Sequence, residues 1–115
     1  MKNLKMKLEN LKGENSLKDA VIEIALNHIE EYDTAEGYFE YVLYGGCQSG
    51  AVGELTYYYQ TEKFFDEHHE EIFEIYNDYQ ADGLIYGFEL NKNNLAWFGF
   101  EETLRNIAYD LDLEF

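Results

Sequence analysis

Three stretches of the 115-residue chain combine residue types and spacing that could do chemistry, and a fourth signal lies in its charge. The first stretch is GGCQSG, residues 45–50, which holds the single cysteine, Cys47. A thiolate nucleophile needs its pKa lowered by a helix N-terminus or a nearby cation. A helix starting after Ser49 would supply the first. The second is scarce, because the chain around the loop is strongly acidic. Pairing with His28, His68 or His69 would give a Cys–His couple, but no spacing ties Cys47 to one of them. The favoured reading is a small apolar side chain packed under a helix–helix turn. The loop also lacks the G-x-x-x-x-G-K-[ST] spacing of a phosphate cradle, and an anion would be repelled by the acids around it.

The second stretch is DEHHEE, residues 66–71. Asp66 and His69, His68 and Glu71, and His28 and Glu31 are carboxylate–imidazole pairs three residues apart. Such pairs hold metals in bundles where four carboxylates face inward. Here Asp66 and Glu71 fall on a polar arc while the histidines flank an apolar stripe, so no face collects a ligand set. The sequence assigns no catalytic residue, no metal and no cofactor. The third stretch is Tyr57–Tyr59. Consecutive helical positions point about 100° apart, so one of the three, taken as Tyr58, is expected to face solvent or a partner. Packing of all three on neighbouring helices is the equal alternative.

The charge is the fourth signal. The formal net charge is −16, from 24 acidic and 8 basic residues. Residues 1–18 carry five lysines against Glu9 and Glu14, a net of +3. Residues 19–115 carry 22 acids against Lys63, Lys92 and Arg105, a net of −19. A body this acidic repels itself and repels nucleic acid, whose binding needs basic residues on the phosphates. Direct DNA or RNA binding is therefore not expected. Charged helix faces are usually just solvated. The functional alternative is mimicry of nucleic acid. Residues four apart on a helix rise about 6 Å, close to the roughly 6.8 Å of two phosphate steps along one DNA strand. Asp66, Glu67, Glu70, Glu71, Glu74 and Asp78 would form one such acidic face, and Asp19, Glu23 and Glu30 a second row.

The elements that must position these residues read as helices. Residues 1–15 form a basic arm, flexible or an edge strand, since Leu4, Met6, Leu8 and Leu11 alternate weakly. Residues 16–115 form one acidic helical domain. Ser16 and Asp19 resemble a capping box opening a helix whose face is Leu17, Val21, Ile24, His28 and Tyr32, widened by Ile22, Ala25, Leu26 and Ile29. This helix is expected to be central. Asp33 or Thr34 caps the next, with Tyr38, Phe39, Tyr41, Val42 and Leu43 on its buried sides and Gly45 and Gly46 ending it. A further helix is expected after Ser49. Thr61 caps the longest one, whose stripe is Phe65, His69, Ile72, Tyr76 and Tyr79. Residues 84–100 read either as a short strand or hairpin, or as a loop followed by a helix capped at Asn93 or Asn94. The helix is favoured, with Trp97, Phe100, Leu104, Ile107 and Leu111 in register. Proline is absent, as suits short connections in a helical domain. The fold class is thus mainly α, a single compact domain of about four to five helices.

The segment GGCQSGAVGELTYYYQTEKFFDEHHEEI, together with LAWFGFEETLRNIAYDL, resembles small uncharacterised acidic phage and prophage proteins. Their shared marks are a Gly-Cys-x-Ser-Gly turn, paired tyrosines, a Phe/His/Glu-rich helix and a Leu-Ala-Trp-Phe helix. The resemblance implies a phage or mobile-element origin and a counter-defence role of the anti-CRISPR kind. The expected function is stoichiometric inhibition of a host nucleic-acid-dependent defence enzyme through its basic groove. The alternative is an interaction or assembly module using aromatic patches, as a homodimer. No apolar run is long enough to span a membrane, no secretory signal is visible, and one cysteine suits a reducing host cytoplasm.

Overall fold

The computed structural model describes residues 2–32, 34–44, 61–81 and 89–113, which carry five α-helices and no strand. They are α1 (Lys2–Asn10), α2 (Ser16–His28), α3 (Ala35–Tyr44), α4 (Thr61–Ala81) and α5 (Lys92–Asp110), with a 3₁₀ turn at Ile29–Glu31 after α2. The loop at 45–50, the helix expected after Ser49, and Tyr57–Tyr59 lie outside the described residues. The Cα radius of gyration, 13.5 Å, is that of a single domain of this length.

Residues 2–15 fold as α1 and the turn after it, where a flexible or edge-strand arm was expected. They are neither a strand nor a free arm, because Leu4, Leu8 and Leu11 recur at four and three residues, the spacing of one helix face. Leu8 is fully buried, and Leu4 and Leu11 pack on the same core. Met6, which made the pattern look alternating, is exposed. A turn then leads into α2. Gly13 takes φ +108° there, a backbone region costly for any side chain, and its N–H donates to Asp19 Oδ1 at 2.9 Å. The cap of α2 is therefore one residue earlier than expected. Asn15 Oδ1 accepts from Lys18 N at 2.8 Å, which leaves Ser16 and Asp19 to make other contacts.

Thr34 does cap α3, its hydroxyl accepting from Gly37 N at 3.0 Å. Tyr38, Phe39, Val42 and Leu43 are buried, whereas Tyr41 is half exposed. Buried positions at i, i+1, i+4 and i+5 define one helix side, and Tyr41 falls outside it. In α4 the buried residues are Phe64, His68 and Ile72, so the inward stripe begins one residue before the expected Phe65 and His69. The backbone departs from helical geometry at His68 (φ −127°, ψ 17°), kinking the helix there.

The hairpin alternative for 84–100 fails from residue 92 onward, where α5 begins; residues 82–88 are outside the described set. The cap is Asn91, accepting from Asn94 N at 2.8 Å, rather than Asn93 or Asn94. The central helix is α5, not α2. It packs against α4, α2 and α3, and ten of its residues are buried. Its closest approach is at Gly99, where an added Cβ would lie 2.6 Å from Ile72 Cγ1. Glycine at that position lets α4 and α5 touch nearly backbone to side chain.

Candidate functional site

Helix α4 carries seven acidic residues against Lys63, and its solvent side is where the expected acidic face is found. Glu70, Glu74 and Asp78 are exposed and, four residues apart, form a ridge along one side of the helix. None of the three has a hydrogen bond or ion pair to another described residue. Asp66 is bound by Lys92 Nζ at 3.1 Å, a pair that links α4 to the start of α5. Glu67 stands 3.9 Å from Lys63 Nζ on the same helix. Glu71 turns inward and accepts from Ser16 Oγ at 2.6 Å. The six expected α4 acids are thus split: three free, two answered by lysines, and one joining α4 to α2.

The second row does not form a free face. Helix α1 and the turn behind it lie along α2 and supply its cations. Lys5 Nζ meets Glu30 at 2.5 Å. Lys12 binds Glu23 and also lies 3.3 Å from Glu9. Asp19 is occupied by the Gly13 N–H. The hydrogen bond to Glu23 holds the Lys12 ammonium above its ordinary pKa, and the bond from Lys5 holds the Glu30 carboxyl below its own. Exposed pairs such as these add little stability. Their effect is on the field, since Lys12 cancels a carboxylate of α2 and Lys5 one of the 3₁₀ turn after it at close range. Tyr58 lies outside the described residues.

Ser16, His68 and Glu71 come together across α2 and α4, but in an order that does not make a serine nucleophile triad. In a triad the histidine takes the hydroxyl proton and the acid orients the histidine. Here the Ser16 hydroxyl donates to Glu71, and His68 Nδ1 lies 3.2 Å from the same oxygen. With the hydroxyl proton committed, Nδ1–H donates to Ser16 and Nε2 is the bare nitrogen. That Nε2 is buried without a hydrogen-bond partner, and the ring packs 5.1 Å from Phe64. Burial lowers the His68 pKa below the ordinary imidazole value, against the pull of Glu71 and Glu67. A histidine kept neutral by folding binds fewer protons than in the unfolded chain. Its contribution to stability is therefore present above the unfolded pKa of about 6.5 and is lost as pH falls through the lower folded value. Thermal unfolding should show a lower Tm at pH 5 than at pH 7, and His68→Phe should flatten that slope. An equal slope in the variant would place the acid sensitivity elsewhere.

Sequence reading missed Glu102. It is 1% exposed in the middle of α5, takes the Tyr79 hydroxyl from α4, and pairs with Arg105 on its own helix. The Arg105 guanidinium lies 5.6 Å from the centre of the Tyr44 ring, bringing α3 into the same network. The available signal was position: Leu95, Phe98 and Glu102 are spaced three and four apart, a second inward stripe beside the one through Phe100 and Leu104.

No helix among the described residues is long and apolar enough to cross a membrane. Among the same residues no three His, Cys, Asp or Glu side chains are grouped to hold a metal ion. No curated protein and no solved structure matches the chain. One family model does match it, across residues 14–113, and by that extent the chain belongs to DUF7222, a family described as a domain of unknown function.

Proposed function

We propose that the protein is a phage or mobile-element inhibitor of a host nucleic-acid-dependent defence enzyme, such as a CRISPR effector or a restriction system. It binds stoichiometrically in the host cytoplasm and lays the solvent face of α4 into a basic groove meant for DNA or guide RNA. The observation that carries this reading is the ridge Glu70, Glu74 and Asp78, exposed and without a basic partner among the described residues. Uncompensated acids at this spacing cost stability through like-charge repulsion, while the α2 acids nearby are each answered from within the fold. A groove lined by lysine and arginine would be steered onto such a ridge electrostatically. The pairing of Glu23 and Glu30 narrows the mimicry to α4.

The test is capture by the tagged protein from lysate of a sensitive bacterium across a salt series. The expected result is enrichment of a nucleic-acid-binding enzyme, lost between about 0.1 and 1 M salt as screening shortens from roughly 10 to 3 Å, and displaced by that enzyme's own nucleic acid. Capture unaffected by salt and by nucleic acid would sink the reading.

A second reading has its own observation. Tyr41, Tyr44 and Tyr109 are 48%, 57% and 74% exposed, and exposed tyrosine suits a protein interface. Under that reading the chain is an interaction module, a homodimer being its simplest form. Salt-insensitive self-association lost on substituting these tyrosines supports it.

A further inference from the structure

The polar contact that joins α4 to α2 is built around a buried nitrogen with nothing to bond. His68 Nδ1 lies 3.2 Å from Ser16 Oγ, and the same hydroxyl donates to Glu71 at 2.6 Å. The other ring nitrogen, Nε2, is buried and has no hydrogen-bond partner. The ring as a whole is 6% exposed and packs on Phe64, which packs in turn on Phe100 of α5. A neutral ring fits this setting, because a bare nitrogen in an apolar wall costs less than a charged one. An imidazolium does not fit it. Its second N–H needs an acceptor, and the Glu67 carboxylate stands 3.9 Å from Nε2, beyond hydrogen-bond reach. The backbone of the same residue is where α4 leaves helical geometry. Hinges form where a few residues absorb a change in φ and ψ, and this break lies at the ring's own Cα.

The charges that face the ring are few. Glu71 and Glu67 of α4 act on it directly. From α2 it meets the Ser16 hydroxyl. Glu14 and Lys18, which line one cleft with Glu71, pair with each other at 2.7 Å, and Lys18 also pairs with Asp110 of α5 at 3.1 Å. Exposed His69 turns away to the Asp66 carbonyl.

We propose that His68 is a pH-operated latch between α2 and α4. With the ring neutral, Nδ1–H donates to Ser16 and the latch is closed. A proton taken up from solvent at Nε2 creates a buried donor that must reach an acceptor. The ring then swings about the break toward the exposed Glu67, Nδ1 leaves Ser16, and the part of α4 ahead of the break loosens from α2 while the domain stays folded. Burial already favours the neutral ring, so the latch opens below the ordinary imidazole value of about 6.5. The Glu71 carboxyl, held below its own ordinary value, stays ionised through that range. Opening would shift Glu62 and Asp66, ahead of the break, against Glu70, Glu74 and Asp78 behind it. The latch needs no partner and does not depend on the acidic-ridge reading.

The test is a titration of the whole protein from about pH 7.5 to 5, followed by NMR of the histidine rings and backbone amides. At the start His68 should carry its proton on Nδ1. On acidification its ring, the Ser16 and Leu17 amides and those of residues 64–71 should titrate together, with one midpoint below about 6.5, while the dispersed spectrum of the folded protein persists. His68→Phe should abolish that step, and His69→Gln should leave it. Glu67→Gln, at an exposed position, removes the charge that attracts the imidazolium and should lower the midpoint by about half a pH unit; it carries the test if His68→Phe does not fold. A His68 ring that stays neutral until the whole chain unfolds overturns the latch, as does one that titrates while the Ser16 amide stands still. The same step in a folded His68→Phe protein also overturns it, and an unmoved midpoint in Glu67→Gln overturns the swing toward Glu67.

Discussion

Replacing Glu102 with alanine is expected to lower the free energy of unfolding by roughly 3 kcal/mol, the largest effect of any single side chain in the network around it. The carboxylate is buried at 1% exposure and serves two helices, accepting from Tyr79 of α4 while facing Arg105 of α5. Removing it takes the acceptor of the Tyr79 hydroxyl bond and the main counter-charge of a guanidinium that is only 27% exposed. Arg105 keeps Glu101 at 3.7 Å and part of its solvent, which holds the loss to the lower end of what a broken buried pair costs, about 3–5 kcal/mol. Domains of this size have some 5–15 kcal/mol in total, so Tm should fall by on the order of 10 °C. Urea unfolding followed by circular dichroism measures it. Glu102→Gln preserves the shape and one acceptor and should cost about half as much. Tyr79→Phe, combined with the alanine variant in a double-mutant cycle, should show coupling near 1 kcal/mol. A loss below about 1 kcal/mol for the alanine variant would mean the carboxylate is solvated and the network contributes little.

Reversing Glu70, Glu74 and Asp78 together to lysine is expected to abolish capture of the partner, by at least about a hundredfold in affinity, while leaving the fold intact. The change alters the local charge by six units at the centre of the ridge. Exposed substitutions away from packing features stay within roughly 0.5 kcal/mol each. Stability should even rise slightly, because the new lysines stand beside Glu67, Glu71 and the rest of an excess of sixteen negative charges. The matching glutamine triple removes charge without reversing it and should fall between the two, with a shallower salt dependence. Titration calorimetry at several salt concentrations, with thermal unfolding alongside, separates a binding loss from an unfolded protein. Undiminished binding by a folded lysine triple would falsify the role of the ridge.

Much of the helical architecture was legible in the sequence, because helix spacing and helix ends are local properties. Leu17, Val21, Ile24 and His28 fall on one face in any α-helix, and Thr34 can cap only a helix that starts just after it. Errors arose where two local readings were equally satisfied. Leu4, Met6 and Leu8 fit a strand period, and only burial of Leu8 with exposure of Met6 selects the helix. Phe64 and Phe65 could each lead the α4 stripe, and the neighbour against which α4 packs makes the choice. Asn15 and Ser16 are both good caps, so adjacent positions compete.

The site divides along the same line. Composition and local pattern establish a helical chain, strongly acidic outside its first eighteen residues and richest in acids on α4. Which of those acids are free is settled by packing. Glu23 and Glu30 are cancelled by Lys12 and Lys5, and Ser16 reaches Glu71 across 55 positions of sequence. Lys18 meets Asp110 across 92 positions, and Glu102 lies buried under Tyr79. The difference is one of range. Periodicity and capping act over three or four residues and can be read from a line of letters. Whether a charge is paired, buried or exposed depends on which distant helix lies against it, and that is known only once the helices are assembled.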